Sequence, residues 1–223
     1  AANMGLTEKN FSDISGHWAE VTINKWKEKG VISGYPDGTF KPDNFVTRAE
    51  LAKIITDAFN LQDKSVLTYE DLNGTEWYFQ YAEYADKYLP LYPLITLYPN
   101  NIPYTNNNDS PYVYKNFLPD VKVMRMHVAE SLVKLMMEMK NLTIELPDIT
   151  DMADSLIEFY ADGSEFSIIG DPHGQIPDNL RRMIENGWLA MELGIICGND
   201  TGSFRPYGLI TRAELLTILD RLF

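Results

Sequence analysis

The chain has 223 residues, of which 45% are hydrophobic, enough to form a sizeable core. Its formal net charge of −13 argues against nucleic acid as a partner, since phosphate backbones are bound by basic surfaces. The one cysteine, Cys197, excludes an internal disulfide and a cysteine-based zinc site. No apolar run is long enough to cross a membrane, and the first ten residues lack the basic and apolar regions of an export signal. We therefore expect a globular chain without a membrane-inserted segment.

A long motif is written more than once. The stretch GYPDGTFKPDNFVTRAEL, residues 34–51, recurs as GNDTGSFRPYGLITRAEL at residues 198–215. A weaker copy, FLPDVKVMRMHV at residues 117–128, keeps a phenylalanine, a proline and an arginine in register. Such repeats seldom bury their apolar faces alone and pack against one another. The predicted units are residues 11–60, 69–140 and 146–223.

Each unit is expected to form a helix, a loop and a second helix. In the first unit, Asp13 or Ser15 is suited to cap the first helix, and Gly30 is suited to end it. The turn YPDG follows at residues 35–38, where proline and glycine occupy their usual turn positions. The apolar stripe of this helix consists of Ala19, Ile23 and Trp26.

The second helix of every unit carries a strong apolar stripe with the period of an amphipathic helix. Their matched register predicts a mainly α fold in which three helix–loop–helix units surround a central three-helix bundle. Two polar insertions, near residues 102–116 and 150–175, are expected on the surface, the second with a short helix at 152–160. The stripes are Leu51, Ile54, Ile55, Ala58 and Phe59; Val128, Leu132, Leu135, Met136 and Met139; and Leu215, Ile218, Leu219, Leu222 and Phe223.

The repeated Thr-Arg-Ala-Glu motif has the pattern of a helix capping box. In such a box the threonine hydroxyl accepts a hydrogen bond from the glutamate amide, and the carboxylate accepts one from the threonine amide. Met124 and His127 stand at these positions in the middle unit, which is therefore expected to lack the box. The predicted boxes are Thr47 with Glu50 and Thr211 with Glu214.

Capping does not explain the arginine that follows each N-cap position, at Arg48, Arg125 and Arg212. A cation in the first turn opposes the helix dipole slightly, so its repetition requires another reason. Two interpretations remain open. Either the side chain is solvated or salt-bridged, or it stands beside free helix amides and binds a carboxylate together with them.

The ordered motif of the first unit resembles the S-layer homology module. It comprises Phe11-x-Asp13-Ile14, Trp18-Ala19, the frame from Gly30 to Pro42, and Val46-Thr47-Arg48-Ala49-Glu50. The third unit is similar to the module at Pro147-Asp148-Ile149 and from Gly194 to Glu214. The middle unit keeps Asp71-Leu72 and Trp77 but has Leu97 and Asn101 where the frame has glycines. The resemblance covers most of the chain from Phe11 onward.

The resemblance implies that the units form one pseudo-threefold domain that anchors exported proteins to the envelope of Gram-positive bacteria. Such domains bind secondary cell-wall polysaccharide, often through a pyruvate-ketal sugar, in grooves between adjacent modules, without a cofactor, a metal or a catalytic residue. An extracellular, cell-wall or S-layer location is implied with it. Transferred by position, the implied groove residues are Arg48, Arg125, Arg212, Lys41, Arg205, Trp18 and Trp77.

Where the chain departs from the module's pattern, we expect the corresponding groove residues to matter less for binding. Because the middle unit lacks the box, we expect the groove around Arg125 to be lost and the long insertion to block the third groove. Binding is then expected to depend first on Arg48 and second on Arg212. A double alanine variant of these two is expected to lose wall binding with little change in thermal stability.

A cell-wall-active enzyme and a calcium-binding protein are less well supported. His17, His127 and His173 are scattered outside any catalytic motif, although His173 lies in a glycine-flanked loop. If the YPDG turn belonged to an EF-hand loop, position 12 would be Asn44 in the first copy and Gly208 in the last. An EF-hand requires a glutamate there, so the count fails in both copies.

A protein–protein interaction module, or a structural module that has lost glycan binding, is the main alternative. Its candidate surface is a tyrosine-rich patch, whose spacing is also typical of ordinary helix packing. The patch comprises Tyr78, Tyr81, Tyr84 and Tyr88.

Overall fold

A computed structural model describes residues 10–90, 116–152, 178–196 and 208–223. In these ranges six helices have both ends defined, a helical turn occupies 149–152, and β-structure is limited to isolated bridges. The predicted mainly α fold is confirmed. The helices are α1 (Glu20–Glu28), α2 (Arg48–Phe59), α3 (Phe79–Ala85), α4 (Arg125–Met139), α5 (Asp178–Glu192) and α6 (Arg212–Asp220).

The closest helix packing runs between units and not within them. The first unit contributes α1 and α2, the middle unit α3 and α4, and the third unit α5 and α6. Helix α2 packs against α3, α4 against α5, and α6 against α1. Every unit therefore buries its second helix on the first helix of the next unit, and the order closes into a ring. A unit removed from this ring would expose the apolar stripe of its second helix.

The predicted apolar stripes form one shared core. Ile23 and Trp26 of α1 are fully buried, as are the central leucines and isoleucines of α2, α4 and α6. The prediction that Met139 belongs to the core is wrong. Met139 is 55% exposed at the end of α4, where residues 138–140 are all exposed. Phe223 lies beyond the end of α6, and its exposed ring meets Trp26 and Phe59 edge-on, with ring centroids 5.4 and 5.0 Å apart.

The starts of the three second helices meet in a closed cycle of backbone hydrogen bonds. The amide of Val46 donates to Ile210 O at 3.0 Å, that of Ile210 to Val123 O at 3.2 Å, and that of Val123 to Val46 O at 2.9 Å. All three side chains are fully buried. Antiparallel bridges join the same segments pairwise: Phe45 with Thr211, Thr47 with Lys122, and Met124 with Leu209. The cycle relates the three units by a pseudo-threefold axis.

An aspartate near the start of a unit fixes the loop that precedes its second helix. The carboxylate of Asp13 accepts hydrogen bonds from the amides of Phe40 and Lys41 at 2.8 and 2.7 Å. In the middle unit Asp71 accepts from Phe117 and Leu118 at 2.6 and 2.8 Å. Lys41 and Leu118 both have φ of 57°, in the left-handed region that side chains disfavour. Both carboxylates therefore hold the same strained loop.

The prediction that Asp13 or Ser15 caps the first helix is wrong. Helix α1 begins at Glu20, and its N-cap residue, Ala19, makes no side-chain capping bond. Asp13 is occupied with the loop at Phe40, so it cannot also serve the helix. The predicted end of this helix is confirmed, since Gly30 follows the C-cap with φ of 74°.

The turn that follows α1 depends on close approach and on glycine. Gly38 has φ of 81°, and its amide donates to Tyr35 O at 2.9 Å to close the YPDG turn. A Cβ atom added at Gly34 would collide with the ring of Phe11 and with Thr39 O. This turn places the Tyr35 ring beside the loop at Lys41, with the Lys41 Nζ 4.2 Å from the ring centroid.

Several sequence predictions lie outside the described residues. They concern most of the two insertions, since 102–115 and 153–175 are not described. Cys197, His173 and Arg205 lie outside as well.

Removing the aspartate carboxylate that holds the loop before the second helix should destabilise the fold. We expect Asp13→Ala to lower the free energy of unfolding by about 1–2 kcal/mol, because two amides lose a charged acceptor. Asp71→Ala should have a similar effect in the middle unit. Urea unfolding of each variant measures the loss.

Asp43→Ala is the matched control, since its side chain is exposed and bonds only to His17 among the described contacts. Its effect should stay below about 0.5 kcal/mol. Equal midpoints for Asp13→Ala and Asp43→Ala would show that the loop does not depend on the Asp13 bonds.

Candidate functional site

Both sequence-predicted capping boxes are present. The Thr47 hydroxyl accepts from the Glu50 amide at 3.1 Å, and the Glu50 carboxylate accepts from the Thr47 amide at 2.9 Å. The corresponding distances for Thr211 and Glu214 are 3.2 and 2.8 Å. These bonds leave the second carboxylate oxygen of each glutamate for other partners.

Of the two interpretations left open for the motif arginines, the one that needs free amides is wrong at α2 and α6. The amide of Arg48 donates to Val121 O at 2.9 Å, and that of Ala49 donates to Pro119 O at 3.0 Å. The third amide, of Glu50, is occupied by the capping box. The loop of the next unit therefore fills the position that a carboxylate ligand would need. The same pattern at α6 joins Arg212 N to Asn44 O and Ala213 N to Pro42 O, both at 2.9 Å.

Arg212 is buried in an ion pair between the third and first units. Its Nη1 lies 2.7 Å from Glu50 Oε1, and its Nε donates to Phe40 O at 2.9 Å. The guanidinium carbon is 4.4 Å from the ring centroid of Phe40 and 5.1 Å from that of Tyr35. The arginine thus binds the capping glutamate and the fixed loop of its neighbour at once.

Arg125 makes the corresponding pair between the middle and third units. Its Nη1 lies 3.1 Å from Glu214 Oε1. This pair is more accessible to water, with side-chain exposures of 10% and 30% against 6% and 16% for Arg212 and Glu50. Solvent screening should therefore make the Arg125 pair the weaker of the two.

Arg48 follows the same rule, although the capping position that it faces carries no glutamate. It faces the middle unit, where His127 takes the place of the capping glutamate. Burial first, and then the Arg48 charge, lower the pKa of His127 to about 3, so the imidazole is neutral. The Arg48 Nη1 donates to Pro90 O at 2.6 Å, and its guanidinium carbon lies 5.1 Å from the Phe117 ring centroid.

The contacts of the three arginines show which interface between units is changed by the missing capping glutamate of the middle unit. Because an arginine contacts the capping position of the next unit, the missing glutamate of the middle unit affects Arg48. The sequence prediction placed the loss at the groove around Arg125, whose side chain is paired with Glu214; whether that groove binds a ligand stays a prediction. The middle box is also only partly lost, because His127 Nδ1 accepts from the Met124 amide at 3.3 Å.

A charged and aromatic cluster forms where the third unit meets the first. We call Tyr35, Lys41, Glu50 and Arg212 the Arg212 cluster. The Tyr35 hydroxyl donates to Glu50 Oε1 at 2.8 Å, and the Lys41 ammonium lies 4.2 Å from the Tyr35 ring centroid and 3.4 Å from an Asp37 oxygen. Lys41 is the most exposed cation of this cluster, because Arg212 is buried.

The electrostatics of the cluster follow from these contacts. Burial and the hydrogen bond to Glu50 raise the pKa of Tyr35. Burial also opposes ionisation of Glu50, but the Thr47 amide, the Arg212 charge and the Tyr35 hydroxyl outweigh it and lower the pKa of that carboxyl. At neutral pH the cluster therefore holds an ionised glutamate beneath two cations and a protonated tyrosine.

The two sequence-predicted tryptophans occupy equivalent, exposed positions. Trp18 is 63% exposed in the first unit, and Trp77 is 59% exposed in the middle unit. Among the described ring contacts, Trp18 meets His17 at 5.3 Å, and Trp77 meets Tyr78 at 5.4 Å and Tyr81 at 6.4 Å between centroids. An exposed tryptophan ring can stack on a ligand, although single exposed apolar residues are also common on protein surfaces.

Sequence reasoning missed Tyr35 and the second role of Glu50. The glutamate was assigned to capping alone, yet it also binds Arg212 and Tyr35 across the interface between units. The available signal was the fixed spacing between the tyrosine of the YPDG turn and the capping box. In the middle unit Leu118 stands where Lys41 stands in the first, which the repeat alignment shows directly.

The described residues show neither a metal centre nor a membrane span. In those ranges no three His, Cys, Asp or Glu side chains come together as metal ligands would. Likewise, none of the described helices is both long enough and apolar enough to span a bilayer. His17 pairs with Asp43 at 3.2 Å, away from the buried His127.

Comparison with protein families finds a match in two of the three units. Two stretches of the chain match the S-layer homology domain. They are residues 10–52 and 189–216, which cover the first unit and the last part of the third. The resemblance predicted from the sequence motifs is confirmed for these two units, and neither stretch reaches the middle unit. Relatives that share similar stretches include a cell surface glycoprotein and an S-layer protein.

Three relatives illustrate the range of this similarity. Cell surface glycoprotein 1 of Acetivibrio thermocellus is 38% identical over 80 residues, 35% of this chain. S-layer protein EA1 of Bacillus anthracis is 48% identical over 54 residues, 24% of this chain. Exoglucanase XynX of Acetivibrio thermocellus is 23% identical over 218 residues, 96% of this chain. The matched parts make up only 4%, 6% and 16% of these relatives.

Equivalent substitutions at the two capping glutamates should differ in cost. We expect Glu50→Gln to lower the free energy of unfolding by about 3 kcal/mol, because it leaves the buried Arg212 charge without its counter-ion. Glu214→Gln should cost about 1 kcal/mol, since the Arg125 pair is better solvated. Urea unfolding at neutral pH measures both, and equal losses would contradict the burial argument.

The buried imidazole should make stability depend on pH. A histidine with a lowered pKa contributes fully above its unfolded pKa of about 6.5, and the contribution is lost as the pH falls toward the folded value. We expect His127 to remove about 2 kcal/mol between pH 6.5 and 5. His127→Gln should abolish this part of the pH dependence, whereas His17→Gln should retain it; urea unfolding at both pH values decides.

Proposed function

We propose that this chain anchors a larger protein to the bacterial cell surface by binding cell-wall polysaccharide without a covalent bond. Two of the relatives are named as a cell surface glycoprotein and an S-layer protein, and the matched part is a small share of each. A module that recurs as a small part of long surface proteins suits attachment better than catalysis. The match to an exoglucanase supports the same role, since it takes up 16% of that enzyme.

The Arg212 cluster is the proposed binding site. It joins the first and third units, and the observation that carries the proposal is that these are the units matched to the S-layer homology domain. Tyr35, Lys41 and Glu50 lie within residues 10–52, and Arg212 lies within 189–216. The cluster is therefore built entirely from residues that the family match covers.

The chemistry of the cluster suits an acidic sugar, such as a pyruvylated one. The Lys41 ammonium reaches solvent beside an aromatic ring and can donate a charge-assisted hydrogen bond to a carboxylate. Arg212 is mainly buried and paired with Glu50, so its part is to hold Glu50 and the Phe40 loop in place. Local cations can thus attract an anion although the whole chain carries −13.

The remaining sequence-predicted residues take secondary places in this proposal. The exposed ring of Trp18 offers a sugar-stacking face on the first unit, and Trp77 offers one on the middle unit. Arg48 and Arg125 are buried or paired between units, so they support the scaffold of their grooves. Arg205, which aligns with Lys41, is the cation proposed for the groove between the middle and third units.

Mutation of the buried arginines would be a poor test of this function. Arg48→Ala and Arg212→Ala were expected from the sequence to leave thermal stability nearly unchanged. Their burial and internal partners instead predict a loss of stability. A loss of wall binding in those variants would therefore not separate ligand binding from unfolding.

Lys41→Leu is the sharper experiment, because it gives the first unit the residue that the middle unit has. We expect wall binding to weaken roughly tenfold, the value of one charge-assisted hydrogen bond. Co-sedimentation with purified Gram-positive cell walls, before and after extraction of their polysaccharide, measures the change.

Leu118→Ala is the matched control, since Leu118 has the same left-handed backbone and the same aspartate-held loop. It should leave wall binding unchanged. Both variants should unfold close to the parent, because neither side chain belongs to the core. Undiminished binding of Lys41→Leu, or binding to walls stripped of polysaccharide, would contradict the proposal.

A further inference from the structure

An asparagine followed by a glycine occurs twice in the chain, at Asn73-Gly74 and at Asn186-Gly187. This dipeptide is chemically reactive, because the glycine carries no side chain to hinder attack of its backbone nitrogen on the asparagine side chain. The two copies lie in different surroundings. Asn73 and Gly74 are exposed in the loop before α3, whereas Asn186 and Gly187 lie inside α5.

The backbone amide of Gly74 donates to a carboxylate. Gly74 N lies 2.9 Å from Glu76 Oε2, and Asn73 N donates to the other carboxylate oxygen at 3.0 Å. Backbone hydrogen bonds, that from Asn73 first, lower the pKa of Glu76, so this carboxyl is ionised at neutral pH. A carboxylate at hydrogen-bond distance can accept the proton that an attacking N–H group must lose. Glu76 is thus placed as a general base for the Gly74 nitrogen.

The side-chain carbonyl of Asn73 is held by two donors from one residue. The Thr75 amide donates to Asn73 Oδ1 at 3.1 Å, and the Thr75 hydroxyl donates to the same oxygen at 2.6 Å. If a nucleophile attacks the side-chain carbon, this oxygen gains negative charge, and donors already aimed at it stabilise that charge. Residues 73–76 therefore bring together a nucleophile, its base, a carbonyl and two donors for the developing oxyanion.

The first unit has the same contact between glycine and carboxylate, but it lacks the asparagine. Gly16 and Gly74 have φ of 75° and 87°, both in the left-handed region. Gly16 N donates to Glu20 Oε2 at 2.8 Å. The residue before Gly16 is Ser15, which has no side-chain carbonyl. The fold therefore supplies the base in both units, and Asn73 makes the middle unit reactive.

The second Asn-Gly copy is held by its helix. Asn186 Nδ2 donates to Arg182 O at 2.9 Å, so the side chain is turned back along α5. Gly187 is buried, and a backbone amide inside an α-helix is engaged with the carbonyl one turn earlier. Attack of this nitrogen on the Asn186 side chain would require the helix to open. Asn186 therefore serves as an internal control for Asn73.

We propose that Asn73 is a site of spontaneous deamidation, assisted by Glu76 and Thr75. The Gly74 nitrogen forms a bond to the Asn73 side-chain carbon and gives its proton to Glu76. The bond from that carbon to Nδ2 breaks, and Nδ2 leaves as ammonia with the proton that Glu76 returns. Water then opens the resulting succinimide at either carbonyl and leaves aspartate or isoaspartate at position 73. The modification does not depend on the proposed anchoring function.

The product changes a loop that the middle unit uses to hold itself together. An isoaspartate adds a methylene to the backbone, and either product places a new carboxylate near Glu76. Asn73 lies two residues after Asp71, whose carboxylate holds the amides of Phe117 and Leu118. A longer and more negatively charged loop is expected to weaken these bonds. The modified chain should therefore unfold at a lower urea concentration than the parent.

Comparison of the folded with the unfolded chain tests the site. The whole chain is incubated at neutral pH in water labelled with heavy oxygen, once folded and once unfolded in urea. Peptide mass spectrometry follows the label at each asparagine, and the unfolded chain gives the unassisted rate of both dipeptides. We expect Asn73 to convert roughly tenfold faster in the folded chain, less than a base of matched pKa would provide. Asn186 should convert more slowly in the folded chain.

Glu76→Gln tests the base, since it keeps an acceptor for the two backbone amides but removes the charge. It should slow the folded reaction at Asn73 roughly fivefold or more. Faster conversion would mean that the carboxylate restrains the loop and would overturn the proposal. A parent reaction at Asn73 that is no faster in the folded than in the unfolded chain would overturn it as well.

Thr75→Val tests the oxyanion donor, because it removes the hydroxyl and keeps the amide. It should slow the folded reaction at Asn73 roughly threefold to tenfold. Thr39→Val is the matched control, since the Thr39 hydroxyl and amide hold Asp37 Oδ1 in the first unit in the same way. It should leave the Asn73 rate unchanged, and an equal effect of both variants would overturn the role of Thr75.

Asn73→Ser gives the middle unit the residue of the first and removes the reacting amide. Urea unfolding after increasing times of incubation measures the consequence. The parent should unfold at a progressively lower urea concentration as it converts, whereas Asn73→Ser should stay constant. An equal decline in both chains would overturn the effect assigned to this loop.

Discussion

The cycle of amide bonds among Val46, Val123 and Ile210 is the constraint on which the rest of the structure depends. It brings the starts of α2, α4 and α6 to one axis, and from there each arginine extends toward the next unit. The first two amides of α2 and α6 are used in the same assembly. The amides at these helix starts, which could otherwise bind an anion, instead donate to carbonyl oxygens of the next unit and connect the two units.

The motif arginines consequently stabilise the contacts between units, and any role in ligand binding is secondary. A buried guanidinium beside a carboxylate is a poor source of stability by itself, but removing one partner leaves a costly uncompensated charge. Such pairs hold the units in one relative orientation, which a binding site shared between two units requires. The middle unit has exchanged its glutamate for a neutral buried histidine. Arg48 instead donates a hydrogen bond to Pro90 O and lies against the ring of Phe117.

The sequence predicted most of the helices and the core, because local periodicity and capping chemistry determine them. Leu51 and Leu215 were assigned to the core from their spacing alone, and both are fully buried. What the sequence could not supply was the partner of each motif residue, since pairing between units depends on how the ring closes. Asp13 was therefore assigned to a nearby helix although it bonds to Phe40, 27 residues away.

The aspartate-held loops separate backbone shape from side-chain identity. Asp13 and Asp71 impose the same left-handed residue on two loops, although one carries a lysine and the other a leucine. The position tolerates chemically unlike residues because its conformation is imposed from outside. Single substitutions there can alter what the surface recognises while the architecture is preserved. Two loops of identical backbone on one scaffold can therefore acquire different surface chemistry without any change in the core.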